Sequence, residues 1–146
     1  MAPPPLAGDE AVIRWWPPNL EREDCILFGH IFLDGSALFP EVQGLTRSGW
    51  ACVQTDDRGN TIRIAYGPVP AEMSLMQDSR AAEDYAALMA SRLVDPSRSF
   101  SLYSDCQGAV QCLSSGTQCA PNAHMWGLIW TTWSPHDHTV HNVPAH

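Results

Sequence analysis

Lysine is absent from this chain of 146 residues, and its absence leaves the chain strongly acidic. All eight basic residues are arginine, and sixteen aspartate and glutamate residues bring the formal net charge to −8. An acidic chain does not attract nucleic acid through its mean electrostatic field. The net charge therefore counts against a nucleic-acid partner.

A membrane span and an export signal are also missing. The longest apolar runs fall far short of the roughly 18 residues that a membrane helix needs. The first residues, 1–5 (MAPPP), lack the basic start and the apolar run of a signal peptide. We therefore expect an intracellular protein, in the cytoplasm or nucleus, with no membrane partner. The length suits one domain with a core of its own.

Cysteine patterns typical of disulfide or zinc frameworks are absent as well. The number of cysteines is odd, five, and no two of them are spaced as Cys-x-x-Cys. The expectation is reduced, mostly buried thiols at Cys25, Cys52, Cys106, Cys112 and Cys119. The glycines are scattered, so no phosphate-binding loop is indicated. No Ser, Cys or His stands out as a nucleophile.

The composition of residues 1–24 differs from that of the rest of the chain. This stretch holds five prolines, at positions 3, 4, 5, 17 and 18. Proline at this density resists both helix and sheet. We interpret residues 1–24 as a Pro- and Trp-containing extension or connector, and residues 25–146 as the folded domain.

The domain begins with three predicted strands. Residues 25–33 (CILFGHIFL) are almost wholly apolar, which predicts a central strand that is buried on both faces. Residues 49–53 predict a second strand, and the polar-apolar alternation of residues 61–66 predicts a third. The turn residues at 56–60 (DDRGN) separate the second strand from the third. Short connections of this kind predict an antiparallel meander.

The hydrophobic period then changes from strand to helix. Apolar residues recur at helical spacing over residues 79–94, and residues 100–104 predict a fourth strand. Two shorter helices and a fifth strand are predicted at 106–113, 121–133 and 139–143. A meander followed by strand-helix-strand units predicts a mixed sheet covered by helices.

Carboxylates occupy the predicted edge of this sheet. Asp34 follows the first strand and precedes Gly35 and Ser36, so by itself it is as typical of a turn as of a ligand site. A right-handed crossover places the fourth strand parallel to the first. Asp105 then ends the neighbouring strand at the same edge, where Glu83 from the intervening helix could meet both aspartates.

Three crowded carboxylates have a natural counter-ion. Their ionised forms repel one another, and a divalent cation removes the repulsion. An all-oxygen site suits Mg²⁺ or Mn²⁺ rather than zinc. Two such ions about 4 Å apart can hold a scissile phosphate, activate the attacking water and stabilise the leaving oxygen. The chemistry inferred from the residues is phosphodiester hydrolysis.

Six short motifs resemble the ribonuclease H family, in particular the RNase H domain attached to reverse transcriptases of mobile elements. They occur in the family's order within residues 25–146. The motifs are Leu33–Ser36 (LDGS), Ser48–Ala51 (SGWA), Ala82-Glu83 followed by Ala86, Tyr103–Gln107 (YSDCQ), Asn122–Trp126 (NAHMW) and Val143–His146 (VPAH). Any one of them is a weak signal, and the six in order are fairly specific.

The resemblance implies a three-layer α/β fold with a five-stranded mixed sheet in the order 3-2-1-4-5, strands 1–3 antiparallel. It implies cleavage of the RNA strand of RNA–DNA hybrids with two Mg²⁺ ions, or Mn²⁺, and a polymerase or connection domain as partner in a larger polypeptide. Asp34, Glu83 and Asp105 would be catalytic metal ligands, and His146 would be a mobile catalytic residue. Substrate contacts would come from Gly35, Ser36, Arg80 and Gln107, the last facing the minor groove, where 2′-hydroxyls distinguish RNA from DNA.

The chain departs from the family in ways that keep two alternatives open. The family's fourth carboxylate and last helix have no counterpart before His146, and Ser79-Arg80 replaces an Asn pair that often precedes the catalytic Glu. One alternative is a degenerate RNase H-like module that binds nucleic acid or a partner without cleavage. The other keeps the fold and changes the substrate, because nucleases and integrases of other specificity share it.

Overall fold

The computed structural model describes residues 12–38, 47–70, 79–118, 122–134 and 138–144. These residues contain strands and α-helices in the order β1 (Arg14–Trp16), β2 (Gly29–Leu38), β3 (Arg47–Thr55), β4 (Thr61–Pro68), α1 (Ser79–Leu93), β5 (Phe100–Ser104), α2 (Gln107–Ser115), α3 (Ala123–Ile129) and β6 (Thr139–Asn142). None of the helices in these ranges has the length and apolar character needed to cross a bilayer.

The strands form one mixed sheet in the order β1-β4-β3-β2-β5-β6. The pairs β2–β3 and β3–β4 are antiparallel, as expected of a meander joined by short turns. Strand β5 is parallel to β2, and β6 is parallel to β5. The predicted order of the five strands, 3-2-1-4-5, is therefore confirmed.

A sixth strand, which the sequence pattern did not predict, lies at the edge of the sheet. Residues Arg14–Trp16 pair antiparallel with Ile64–Tyr66 of β4. Tryptophan favours strands, and the side chain of Trp15 packs against the core. The strand ends where Pro17 follows, since proline has no N–H to continue the ladder. Three residues of the predicted extension thus add to the sheet.

Helix α1 is enclosed along most of its length. Every residue from 81 to 91 is buried, including two acidic ones, Glu83 and Asp84. Alanines at many of these positions let the helix approach the sheet closely. At Gly35 of β2 an added Cβ atom would lie 2.5 Å from the backbone carbon of Ala82. The backbone of α1 is therefore in direct contact with β2 at this glycine.

The prediction that the first strand is buried on both faces is wrong. Ile31 and Leu33 are buried in the core, whereas Phe32, on the other face, is half-buried. The ring of Phe32 stacks on Tyr103 of β5 with a centroid distance of 4.5 Å. Tyr103 in turn stacks on His141 of β6 at 4.8 Å. Aromatic side chains of the neighbouring strands partly cover this face of β2. An apolar run in the sequence does not reveal whether a strand face is covered by such side chains or by a helix.

The cysteines also differ in part from expectation. Cys25, Cys52 and Cys106 are free thiols, as predicted. Burial raises the pKa of the Cys52 thiol, so this side chain is inert at neutral pH. Cys112 of α2 is disulfide-bonded, and the expectation of a reduced thiol is wrong there. Odd counts and irregular spacings do not reveal which pair of cysteines packing brings together.

The contact between α1 and β2 predicts a large effect of a small substitution. In Gly35→Ala the new methyl group would collide with the backbone of Ala82 and Glu83, so we expect a loss of about 2–3 kcal/mol in the free energy of unfolding. Gly127→Ala, in α3, is the matched control because its Cβ would make an ordinary 3.5 Å contact with Gln118. Urea denaturation followed by circular dichroism measures both, and equal stabilities of the two variants would contradict the proposed close packing.

Candidate functional site

The pairing of β2 with β5 sets the register of two aspartates. Phe32 is opposite Tyr103 in this parallel pair, and the same register continued by two residues places Asp34 opposite Asp105. Asp105 directly follows the last residue of β5, as predicted, whereas Asp34 lies within β2, which runs on to Leu38, so the prediction that Asp34 follows the end of its strand is wrong. The two aspartates therefore occupy the same edge of two adjacent parallel strands, as the crossover argument predicted. Ligand sites of open α/β sheets lie at this edge.

The carboxylate of Glu83 is fixed between these two strands. The backbone N–H of Gly35 donates a hydrogen bond to Oε1 of Glu83 at 3.1 Å. The hydroxyl of Ser104 donates to Oε2 at 3.4 Å. Glu83 is thus bound by the residue that follows Asp34 and by the residue that precedes Asp105. Ser104 was not predicted as a site residue, because its role depends on which strand packs beside β2.

The environment of Glu83 raises its pKa from 4.5 to about 7. Burial is the largest cause, since a buried carboxylate loses hydration, and the Gly35 N–H opposes it by stabilising the ionised form. The negative charges of Asp105 and Asp34 raise the pKa further. The three acidic groups, predicted separately from the sequence, therefore lie near enough in the folded chain for the aspartates to repel the ionised form of Glu83.

The donor chemistry at this edge suits a hard divalent cation, but the expected convergence of all three carboxylates on one ion is not observed. All donors are carboxylate oxygens, and a cation would relieve the repulsion that suppresses ionisation of Glu83. Within the described ranges, no three His, Cys, Asp or Glu side chains are arranged to hold a metal ion. Asp34 is exposed and Asp105 is half-buried.

A second buried carboxylate follows Glu83 in the chain. Asp84 is fully buried, and its two oxygens accept hydrogen bonds from Nε of Arg80 at 2.9 and 3.0 Å. The side-chain amide of Asn122, at the start of α3, donates to the same carboxylate at 2.8 Å. Burial raises the pKa of Asp84, whereas the Asn122 hydrogen bond and the Arg80 charge hold it down.

Sequence reasoning missed Asp84 and this use of Asn122. The available signal was an Arg and an Asp at i and i+4 on a helix whose other residues are mostly small or apolar. A charged residue in such a helix needs a partner when the helix is buried on all sides. The partner Asn122 lies 38 residues along the chain, which no local pattern reveals.

The other predicted site residues lie around the same edge, to the extent that the structure describes them. Gln107 is the exposed first residue of α2, two residues after Asp105. The guanidinium of Arg80 packs over Gly108 of the same helix. Ser36 pairs with Gly49 in the sheet. His146 lies outside the described residues.

The chain is similar in fold to solved structures, but its sequence matches no known family. No protein-family model matches the chain, and no curated protein matches it. Among solved structures, LC11-RNase H1, isolated from compost by a metagenomic approach, is similar with a TM-score of 0.53 and 18% identity, covering 79% of this chain and 83% of that chain. The same enzyme in complex with an RNA/DNA hybrid is similar with a TM-score of 0.55 and 17% identity, covering 79% and 84%. The chain therefore has the RNase H-like fold that its motifs predicted.

The raised pKa of Glu83 predicts how stability depends on pH. Because the folded-state pKa of about 7 exceeds the ordinary value of 4.5, the group stabilises the fold fully below pH 4.5, and this contribution is lost as pH rises through 7. At pH 8 we expect Glu83→Gln to be more stable than wild type by up to about 3 kcal/mol, with little difference between the two at pH 4.

Urea denaturation at several pH values measures this dependence. Glu23→Gln is the control, because Glu23 is an exposed acidic residue away from the sheet edge. We expect Glu23→Gln to keep the pH dependence of wild type. If Glu83→Gln kept it too, Glu83 would not be the group that titrates near neutrality.

Proposed function

We propose that this chain is a ribonuclease H-type domain that hydrolyses the RNA strand of RNA–DNA hybrids with divalent metal ions. The observation that carries the proposal is the position of the Glu83 carboxylate. It accepts hydrogen bonds from the neighbours of Asp34 and Asp105 on adjacent parallel strands, in an RNase H-like fold. Since LC11-RNase H1 of similar fold was crystallised with an RNA/DNA hybrid, the hybrid is the substrate proposed here.

Asp34, Glu83 and Asp105 are the proposed ligands of two Mg²⁺ or Mn²⁺ ions. Such ions, when bound, polarise the scissile phosphate and activate the attacking water. The protein's own contribution is to hold Glu83 in place through Gly35 and Ser104. Asp34 and Asp105 are accessible from solvent, so their side chains can turn toward a cation without rearrangement of the core.

Substrate contacts are proposed for residues at the same edge. Gln107 is exposed at the start of α2, and its amide can donate to and accept from the 2′-hydroxyls that distinguish RNA from DNA. Gly35 and Ser36 would contribute backbone groups beside Asp34. We propose His146 as a residue that assists proton transfer or product release.

The acidic composition bears on the larger protein that would contain this domain. A net charge of −8 and the absence of lysine give the domain little general attraction for a polyanionic hybrid. We propose that it belongs to a reverse-transcriptase-like polypeptide, in which a polymerase or connection domain supplies most of the affinity. In that arrangement residues 1–24 would be the connector, with Arg14–Trp16 docked as an edge strand on the sheet of the nuclease domain, residues 25–146.

A second candidate function is an RNase H-like module that binds nucleic acid or a partner without cleaving it. The observation that favours it is the absence, among the described residues, of any three His, Cys, Asp or Glu side chains arranged to hold a metal ion. The two candidates differ in whether the carboxylates of Asp34, Glu83 and Asp105 bind a cation at all.

Cleavage of a labelled hybrid tests the first candidate directly. In the presence of Mg²⁺ or Mn²⁺ we expect the wild-type chain to cut the RNA strand, and Asp34→Asn to cut it at least about 100-fold more slowly, because a metal ligand is lost. Asp24→Asn is the control with the same charge change at an exposed site. Equal rates for wild type and Asp34→Asn would remove the catalytic claim, and duplex DNA and duplex RNA as substrates test the specificity.

Cation binding separates the two candidates without any assay of activity. We expect Mg²⁺ or Mn²⁺ to raise the melting temperature of wild type at pH 8, since a bound cation stabilises the crowded carboxylates. Asp34→Asn and Glu83→Gln should lose most of that increase, and Asp24→Asn should keep it. No cation-dependent shift in a folded wild-type chain would favour the non-cleaving module.

A further inference from the structure

Asp84 is a buried charge that the proposed chemistry does not use. It carries no exposed surface, and two side chains donate to its oxygens: the single Nε–H of Arg80, which the two oxygens share, and the side-chain amide of Asn122. Burying an ion pair costs about as much as its attraction returns, and apolar residues of similar size often stabilise a fold as well or better. Stability alone is therefore a weak reason for this cluster.

The cluster fixes the orientation of one guanidinium. Arg80 directs Nε toward Asp84, and both bonds to the carboxylate use that nitrogen. Its outer part packs over Gly108, where an added Cβ atom would be 2.8 Å from Cζ of Arg80. Only glycine leaves this space open. The side chain of Arg80 nevertheless keeps 28% of its surface exposed, so the guanidinium is held and still accessible.

The two segments that hold this guanidinium also carry two of the three acidic residues of the candidate site. Arg80 lies one helical turn before Glu83 on α1, and Gly108 follows Asp105 by three residues at the start of α2. Any nucleic-acid strand that approaches Asp34, Glu83 and Asp105 brings negative phosphates to an already negative edge. A guanidinium is always charged, and its planar fork matches two oxygens of a phosphate.

We infer that Asp84, held by Asn122, is a positioning residue that fixes Arg80 as a phosphate contact for the nucleic-acid backbone at this edge. The inference rests on the proposed function in so far as it names a nucleic acid as the ligand. The inference goes beyond the proposed function by assigning Asp84 and Gly108 to the placement of the Arg80 guanidinium. This matters in a chain whose eight basic residues give no general attraction for phosphate.

Binding of a labelled RNA–DNA hybrid in EDTA, followed by fluorescence anisotropy over a salt series, tests the contact without metal and without cleavage. We expect Arg80→Gln to bind about tenfold more weakly, with the salt slope reduced by about one. Arg80→Lys keeps the charge and loses the planar fork, so we expect it to bind nearly as weakly as Arg80→Gln. Arg58→Gln removes an exposed arginine of the β3–β4 turn and should change affinity by no more than about twofold.

Two further variants leave Arg80 in the chain and test its positioning. Asp84→Asn removes a negative charge, which by charge alone would strengthen the binding of a polyanion. If Asp84 positions Arg80, binding should instead weaken, by about fivefold, while the charge-matched Asp24→Asn binds as tightly as wild type or tighter. Gly108→Ala changes no charge, and its methyl group displaces the guanidinium of Arg80, so we expect a similar loss.

Each outcome decides the inference. The inference is overturned if Asp84→Asn and Gly108→Ala are both folded, as judged by melting curves, and both bind the hybrid as tightly as wild type or tighter. Full affinity of Arg80→Lys also overturns the inference. Should Asp84→Asn not fold, Gly108→Ala and Arg80→Lys decide the matter alone. A wild-type chain that does not bind the hybrid overturns the inference too. If wild type binds in the expected pattern but cuts nothing with Mg²⁺ or Mn²⁺, the inference stands and the proposed cleavage fails.

Discussion

The structure depends on the close approach of helix α1 to strand β2 at Gly35. Because no side chain separates the two elements there, the N–H of Gly35 reaches the carboxylate of Glu83. Sheet register independently places Asp34 beside Asp105. The helix contact brings the third acidic group to the same place, so that its charge responds to both aspartates. Without this approach Glu83 would not reach the two aspartates.

Two neighbouring residues of α1 are buried among different partners, although burial raises the pKa of both. Burial and, to a smaller extent, the neighbouring negative charges disfavour the ionised form of Glu83. Asp84 is buried beside a cation and an amide, which stabilise its ionised form and hold the guanidinium of Arg80 in place. One turn of helix thus carries the proposed metal ligand Glu83 and, beside it, the proposed phosphate contact Arg80.

The sequence alone predicted most of the architecture and the principal acidic residues. Strand and helix periods follow from how side chains alternate along a backbone, so the five main strands and the long helix could be located from apolar spacing. The handedness of crossovers then limited the topology enough to place Asp34 and Asp105 on adjacent parallel strands. Glu83 followed because its helix connects the meander to the fourth strand.

Only the tertiary structure decided which residues far apart in the chain contact one another, because local sequence patterns do not specify such contacts. The edge strand Arg14–Trp16, the partly exposed face at Phe32 and the contact of Asp84 with Asn122 all depend on packing between distant segments. Local sequence determines the period and direction of an element, because these are properties of the backbone. It does not determine which buried polar group meets which, because that choice requires the whole core to be packed and every buried charge to find its partner.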